Sequence, residues 1–204
     1  MGFYEDKIFP CILEMHENNE MKSLRKTLLK KVYGEVLEIG FGTGINLPYY
    51  TNSITKLYAV EPSSGMNKHA NKRIKSSSIK PLIHVSSGEE LPFKSNTFDS
   101  VVSTHLLCSV KSVDQVLNES YRVLKPGGKF YFIEHTASDD YNILQWQNRL
   151  NYLSRIIACG CELNRNIADY FYNSEFIVDE INSIPDFQAA YHKLYPRIQG
   201  FLSK

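Results

Sequence analysis

The alternation of short apolar runs with helical segments between residues 35 and 135 limits the possible folds of this 204-residue chain most strongly. Short strands that are apolar throughout and alternate with helices are typical of an α/β fold with a mainly parallel sheet. Right-handed crossovers then place helices on both faces of that sheet. The predicted strands are 35–40, 54–62, 81–87, 98–110 (which runs on into a loop) and 129–135, and the predicted helices are 64–78 and 113–124.

The two ends of the chain show different patterns. Apolar residues at helical spacing in 3–31 predict two helices, which Pro10 and the polar stretch that follows separate. After residue 135 we predict helices over 141–160 and 165–176, then closing strands over 177–185 and 189–203, with the last strand antiparallel. The prediction is a doubly wound, mainly parallel, seven-stranded sheet with a Rossmann-like fold. No internal repeat or linker divides the chain, which predicts one domain.

Composition excludes several classes of protein. The chain has 23 basic and 22 acidic residues and a net charge of +1, which gives no electrostatic case for nucleic-acid binding. The first twenty residues contain no long apolar run, so we expect neither a signal peptide nor a transmembrane helix, and we expect a cytoplasmic protein. Four cysteines are too few and too scattered for a disulfide scaffold, and Cys159-Gly-Cys161 lacks the second pair typical of a zinc site. We therefore predict reduced thiols and no metal.

Three glycines follow the first predicted strand on alternate positions: Gly40, Gly42 and Gly44. In doubly wound sheets ligands bind at the carboxyl ends of the strands, where missing Cβ atoms allow a sharp turn and a close approach. The dinucleotide fingerprint Gly-x-Gly-x-x-Gly fails in both registers, because its third glycine would fall on Ile45 or Leu47. The phosphate-binding P-loop fails as well, since no Gly-Lys-Ser/Thr follows.

A wider pattern fits another class of cofactor. Glu38 precedes the glycines, Glu61 ends the second strand in "YAVEPS", and "YRVLKPGGKFYFIE" surrounds the fifth strand. In this order and spacing the sequence resembles the class I S-adenosylmethionine-dependent methyltransferases. The resemblance implies that Glu61 accepts hydrogen bonds from the two ribose hydroxyls and that Glu38 contacts the methionine end. It implies S-adenosylmethionine as cofactor, S-adenosylhomocysteine as product, and these cofactor-binding residues: Glu38, Gly40, Gly42, Gly44, Asn46, Glu61, Met66, Ser87, Gly88, Glu89 and Thr104.

Several of these residues have structural alternatives. Glu61 is also suited to cap the helix that follows "PSSG", and Met66 to pack in the core. Ser87 stands where the family often has an aspartate that contacts the adenine amino group. Proton acceptors for catalysis are expected at the ends of strands four and five, where His105 and His135 lie, although a histidine satisfied by the backbone is the alternative for each.

The stretch "LLCSVKSVDQVLNESYRVLKPGGKFYFIEHTAS" resembles the branch of this family that contains thiol methyltransferases and small bacterial relatives. It implies transfer of a methyl group to a small molecule, plausibly a thiol. Oxygen, carbon or nitrogen acceptors, as in quinone or phospholipid methyltransferases, stay open, as does an S-adenosylmethionine-binding protein without catalysis. In the same stretch Cys108 is expected to line the pocket or to be a buried inert thiol, and Glu134 to hydrogen-bond a loop or the cofactor's ammonium group.

The resemblance also divides the single domain of residues 1–204 into parts. Residues 1–31 are predicted to form a helical lid, 32–135 the cofactor-binding core, 136–175 a helical insertion near the acceptor, and 176–204 the closing strands. The animal members carry a hydrophobic N-terminal anchor that residues 1–20 do not resemble, which leaves only peripheral membrane contact open. The sequence makes no prediction of the oligomeric state.

Overall fold

The computed structural model describes residues 17–184 and 194–204, together with Tyr4, Ile8 and Pro10. The elements are α1 Asn19–Leu29, β1 Gly34–Ile39, a 3₁₀ turn Leu47–Tyr49, β2 Ile54–Val60, α2 Ser64–Ser76, β3 Leu82–His84, β4 Phe98–Thr104, α3 Val113–Val123, β5 Leu124–His135, α4 Tyr141–Ile157, α5 Ile167–Tyr172, β6 Ile177–Ile184 and β7 Arg197–Ser203. Up to residue 135 most strands are followed by helices, as the sequence predicts, but a 3₁₀ turn joins β1 to β2 and a loop without a helix joins β3 to β4.

The seven strands form one sheet in the order β3-β2-β1-β4-β5-β7-β6. The pairs β1–β2, β1–β4, β2–β3 and β4–β5 are parallel, while β7 runs antiparallel to both β5 and β6. This confirms the predicted mainly parallel sheet with an antiparallel last strand. The order reverses at β1, so the carboxyl ends of β1 and β4 flank the position where such folds bind ligands.

Both faces of the sheet are covered by helices. Alternate side chains of β5 separate the two cores, as the period of a strand requires. Phe130 and Phe132 pack in the core that contains buried residues of α3 and α5, whereas Tyr131 and Ile133 pack in the core that contains Leu29 of α1. Four of the five helices described begin at side-chain caps: Asn18, Ser63, Ser112 and Asp140 each accept a backbone N–H in the first turn, whereas α5 has no such bond.

The boundaries differ from the prediction in a few places. β5 begins at Leu124 rather than Lys129. Leu124 pairs with Phe98 of β4 and Lys129 pairs with Ser100, so the register shifts over residues 125–128. The second insertion helix covers only Ile167–Tyr172, and β7 begins at Arg197 rather than residue 189. Most of the first predicted helix and residues 185–193 lie outside the described residues. None of the helices described is long and apolar enough to span a membrane.

Candidate cofactor and acceptor site

The glycine turn after β1 adopts a backbone that other residues rarely take. Gly40, Gly42 and Gly44 have φ values of +71°, +55° and +73°. A Cβ on Gly40 would lie 2.8 Å from Cδ1 of Leu106, so the turn packs closely on the loop after β4. A Cβ on Gly42 would meet nothing nearer than the Gly40 carbonyl oxygen at 3.9 Å. The turn is therefore packed at its first glycine and open at its second.

Glu61, just after β2, is tied to this turn. Its carboxylate is 7% exposed, and Oε2 accepts the Gly42 N–H at 2.8 Å while Oε1 accepts the Ser63 N–H at 2.8 Å. The cap of α2 is Ser63, whose Oγ accepts the N–H of Met66 at 3.2 Å, so Glu61 is not that cap. Each carboxylate oxygen has two lone pairs, and one on each remains available for another donor. Burial raises the pKa of Glu61, against the effect of the two backbone hydrogen bonds.

Glu38, near the end of β1, is buried with two side-chain donors. Asn46 Nδ2 donates to Oε1 and the Tyr50 hydroxyl donates to Oε2, both at 2.8 Å. Burial raises the pKa of Glu38 to about 7, although the hydrogen bonds from Tyr50 and Asn46 and the charge of Arg25 lower it. A nearby cation would lower this pKa and favour the ionised carboxylate.

Arg25 connects α1 to the same network. Its buried Nη1 donates to Asn46 Oδ1 at 2.7 Å and to Thr104 Oγ1 at 3.1 Å, and its Nε pairs with Glu17 at 3.1 Å. Asn46 Nδ2 also donates to Thr104 at 3.0 Å. The structure thus brings together three residues that the sequence predicted, Glu38, Asn46 and Thr104, and connects Arg25 of α1 to them. Sequence analysis missed Arg25, which lies among several other basic residues of an amphipathic helix and has no local signal.

The loop after β3 supplies the remaining predicted cofactor residues. A Cβ on Gly88 would lie 2.8 Å from Cγ2 of Ile39, so this glycine allows the loop to pack on the end of β1. Glu89 accepts the N–H of Lys111 at 2.9 Å and so holds the loop before α3. Ser87 is half-buried, and Met66 is buried in the first turn of α2. The contacts of Ser87 and Met66 do not test whether either residue binds the cofactor.

The two candidate histidines lie against each other at the ends of β4 and β5. The ring centroids of His105 and His135 are 4.5 Å apart, and His105 has a φ of +54°. The Nδ1 atom of His105 is buried and has no hydrogen-bond partner among the described residues. Burial and the neighbouring His135 hold the pKa of His105 well below its usual range, so its ring is neutral near pH 7.

Beside this pair lies a cluster of two thiols and an imidazole. Cys108 Sγ is 3.8 Å and Cys161 Sγ is 3.9 Å from Nδ1 of His135, and both cysteines are buried. This is a group of three side chains suited to hold a metal ion, although sequence analysis predicted no metal. The spacing of Cys159 and Cys161 gave no sign of it, because the partners come from β5 and from the loop after β4.

Glu134 hydrogen-bonds that same loop, which is one of its two predicted roles. Its buried carboxylate accepts the Ser103 hydroxyl at 2.6 Å and the N–H groups of Leu106 at 3.2 Å and Leu107 at 3.1 Å. Burial raises the pKa of Glu134 to about 8, partly offset by these bonds. Glu134 therefore holds the backbone that carries His105 and Cys108.

The chain is similar to several curated methyltransferases. It is 34% identical over 135 residues to human thiol S-methyltransferase TMT1A (64% of this chain, 54% of the relative). It is 32% identical over 108 residues to the phosphatidylethanolamine N-methyltransferase of Cereibacter sphaeroides (52% and 53%). It is 33% identical over 105 residues to the ubiquinone/menaquinone biosynthesis C-methyltransferase UbiE of Bartonella henselae (49% and 40%). The chain spans about half the length of these relatives or less.

Solved structures share the fold. A SAM-dependent methyltransferase from Thermotoga maritima superimposes with a TM-score of 0.62 at 22% identity, over 97% of this chain and 96% of the other. A geranyl diphosphate methyltransferase in complex with SAM gives 0.71 at 14% identity, over 100% and 91%. The family model described as "Methyltransferase domain" matches residues 37–132. The glycine turn, Glu61 and this sheet agree with these matches, which support a class I S-adenosylmethionine-dependent methyltransferase.

Proposed function

We propose that this chain binds S-adenosylmethionine over the glycine turn and transfers its methyl group to a small-molecule thiol. The observation that carries the donor half is the buried Glu61 carboxylate, which is held beside the open backbone of Gly42 at 2.8 Å. Its two remaining acceptor positions match a pair of adjacent ribose hydroxyls. A residue with a Cβ at position 42 would occupy the space over this backbone.

The methionine end of the cofactor is proposed to lie against the first glycines and Glu38. Glu38 has an acceptor position left on each oxygen, and its carboxylate would attract the ammonium group of the amino acid. Asn46 and Tyr50 hold that carboxylate by donating to it, and Thr104 accepts a second hydrogen bond from the same Asn46 amide. We assign the adenine end to the residues around β3, and the full proposed set is Glu38, Gly40, Gly42, Gly44, Asn46, Glu61, Met66, Ser87, Gly88, Glu89 and Thr104.

The cofactor supplies an electrophilic methyl group on a sulfonium, so the protein must align the nucleophile and exclude water. A thiol reacts as its thiolate, and it must therefore lose a proton. Neutral His105 has an unpartnered Nδ1 at the end of β4, where the acceptor is proposed to bind, and can accept a hydrogen bond from the acceptor there. Its lowered pKa makes it a weak base, so a thiol that arrives as its thiolate would react most readily. The similarity to human thiol S-methyltransferase TMT1A supports sulfur as the acceptor atom.

The test is methyl transfer from labelled S-adenosylmethionine to a panel of small thiols, phenols, quinols and amines. We expect transfer to thiols, and its loss in Glu61→Gln, which cannot offer two acceptor oxygens. Glu90→Gln is the matched control, because Glu90 is an exposed glutamate outside the proposed cofactor-binding set. Transfer only to quinols or amines would favour the alternative acceptors, which the phospholipid and quinone methyltransferase relatives represent. Binding of the cofactor without any transfer would indicate a catalytically silent protein.

A further inference from the structure

Cys108, His135 and Cys161 form a compact cluster that the proposed methyl transfer does not use. We propose that these three residues bind a thiophilic divalent metal ion, with Zn²⁺ as the best match. The inference is independent of the acceptor assigned above. It rests on the distances within the cluster, on its charge balance and on the way three separate segments hold it.

The distances are close to those of a zinc site. Tetrahedral coordination at about 2.3 Å to sulfur and about 2.1 Å to nitrogen places neighbouring ligand atoms about 3.5–3.8 Å apart. The two sulfur-to-Nδ1 distances are 3.8 and 3.9 Å, and all three ligand atoms lie within 4.8 Å of one another. The two histidine contacts need to shorten by only a few tenths of an ångström, and the two sulfur atoms by no more than about 1 Å, to reach this geometry. A disulfide would instead require the two sulfur atoms to approach to about 2.05 Å.

The charge balance also suits a dication. The cluster is enclosed by apolar groups, including Leu150, Leu163 and Tyr195. Two thiolates and a divalent ion are together neutral, so this environment does not have to hold an uncompensated charge.

The backbone around both cysteines is held independently of their thiols. The N–H of Glu162 donates to the Cys108 carbonyl at 2.8 Å, and the Ser154 hydroxyl donates to the Cys161 carbonyl at 3.0 Å. Arg165 Nη1 donates to the carbonyl groups of Leu107 at 2.6 Å and Val110 at 2.9 Å. The ligands are therefore positioned before any metal binds, which reduces the ordering cost of binding.

Three protein ligands leave a fourth position open, as in catalytic rather than structural zinc sites. His135 is also in ring contact with His105, and Leu106 between the two clusters packs on Gly40. The cluster therefore adjoins the loop that borders the glycine turn. Water or a small exogenous ligand would complete the coordination.

The experiment uses the full chain under reducing conditions, freed of metal with a chelator and titrated with Zn²⁺ against a chromophoric competitor. We expect one equivalent to bind, with release of protons from the thiols, and Co²⁺ to give thiolate charge-transfer bands. Cys161→Ser and His135→Asn should each weaken binding by more than about 100-fold, because even the loss of an outer partner of a ligand costs 10–100-fold. Cys159→Ser is the matched control and should bind as the unmodified chain does.

Circular dichroism of each variant tests its fold, and His135→Asn decides the question if Cys161→Ser does not fold. Zinc binding that is no stronger in the unmodified chain than in a folded ligand variant would overturn the proposal. The same conclusion would follow if Cys159→Ser lost as much affinity as Cys161→Ser. A Cys108–Cys161 disulfide that persists under these reducing conditions, with no metal bound, would also overturn it.

Discussion

Replacing Glu38 by glutamine tests how the buried carboxyl group at the end of β1 acts. The side chain is 1% exposed and accepts hydrogen bonds from Asn46 and Tyr50. Glutamine has nearly the same shape but stays neutral at every pH. The variant therefore removes the ionisation of Glu38 and leaves the packing around it almost unchanged.

The size of the effect follows from the pKa of Glu38, which burial raises from 4.5 to about 7 in the folded protein. Each pKa unit corresponds to about 1.4 kcal/mol, so ionisation of this group costs the folded state about 3 kcal/mol relative to the unfolded state. Because the folded pKa is the higher one, the stability that Glu38 contributes is fully present below pH 4.5. It is lost as the pH rises through 7.

We compare the free energy of unfolding of Glu38→Gln with that of the unmodified chain. We expect the difference between them to rise by about 2–3 kcal/mol, in favour of the variant, from pH 5 to pH 8. Urea unfolding of both proteins at the two pH values measures this difference, and subtracting one protein from the other removes the other titrating groups. Glu90→Gln serves as the exposed control and should show no such change. A difference between Glu38→Gln and the unmodified chain that is the same at pH 5 and pH 8 would refute the reasoning.

Cofactor binding separates the electrostatics of Glu38 from its proposed role. If Glu38 attracts the ammonium group of the cofactor, Glu38→Gln should bind S-adenosylhomocysteine more weakly at pH 8, even though it is more stable there. Isothermal titration calorimetry gives this affinity. Unchanged affinity together with the expected gain in stability would remove Glu38 from the cofactor site but keep the account of its pKa.

Three further predictions concern the glycine turn and the segment before β1. Gly40→Ala should lower the free energy of unfolding, because its Cβ would lie 2.8 Å from Leu106. Gly42→Ala should lower the free energy of unfolding by only about 1–2 kcal/mol, for its left-handed backbone, and should mainly weaken cofactor binding. Thermal unfolding measures the stabilities and calorimetry the cofactor affinities. Arg25→Lys should destabilise the chain by about 1–3 kcal/mol in urea unfolding, since lysine cannot reproduce the buried fork of hydrogen bonds; no change would contradict this. Deletion of residues 1–20 should abolish cofactor binding while the circular dichroism spectrum stays that of a folded domain, and unchanged affinity by calorimetry would refute the predicted lid.

Much of the fold could be predicted because it depends on local patterns. The apolar runs that became β1, β2, β4 and β5 are short and bounded by turn residues, and parallel strands between helices leave few alternatives. The start of β5 could not be predicted, because Pro126 and Gly127 read as a turn although the segment extends the strand through an irregular register. Only Leu124 pairs with β4 before Lys129, and Gly127 has a φ of +77°, so residues 125–128 form an irregular turn inside the strand, and the isolated pairing of Leu124 has no local sequence signal.

The residues proposed to bind the methyl donor could also be picked out from the sequence, since they are close in sequence or lie at the ends of adjacent strands. Gly40, Gly42 and Gly44 all take the positive φ values that their pattern suggested, and Glu61 lies beside Gly42 as a residue at the end of β2 should. The partners of Glu38 were less evident. Asn46 belongs to the predicted set, but Arg25 reaches the network from a helix whose sequence shows only an amphipathic pattern.

The cluster of Cys108, His135 and Cys161 could not be predicted for the opposite reason, because it is formed by contacts between segments far apart in sequence. His135 meets Cys108 across 27 positions and Cys161 across 26, and no spacing rule joins these three residues. Each alone has an ordinary structural interpretation, as a buried thiol or a satisfied histidine. Their placement depends on Glu134 of β5 and on Arg165 of the insertion, which both hydrogen-bond the loop after β4. The insertion after β5 therefore does more than cover the sheet, because it delivers Cys161 to a loop that also contacts the glycine turn.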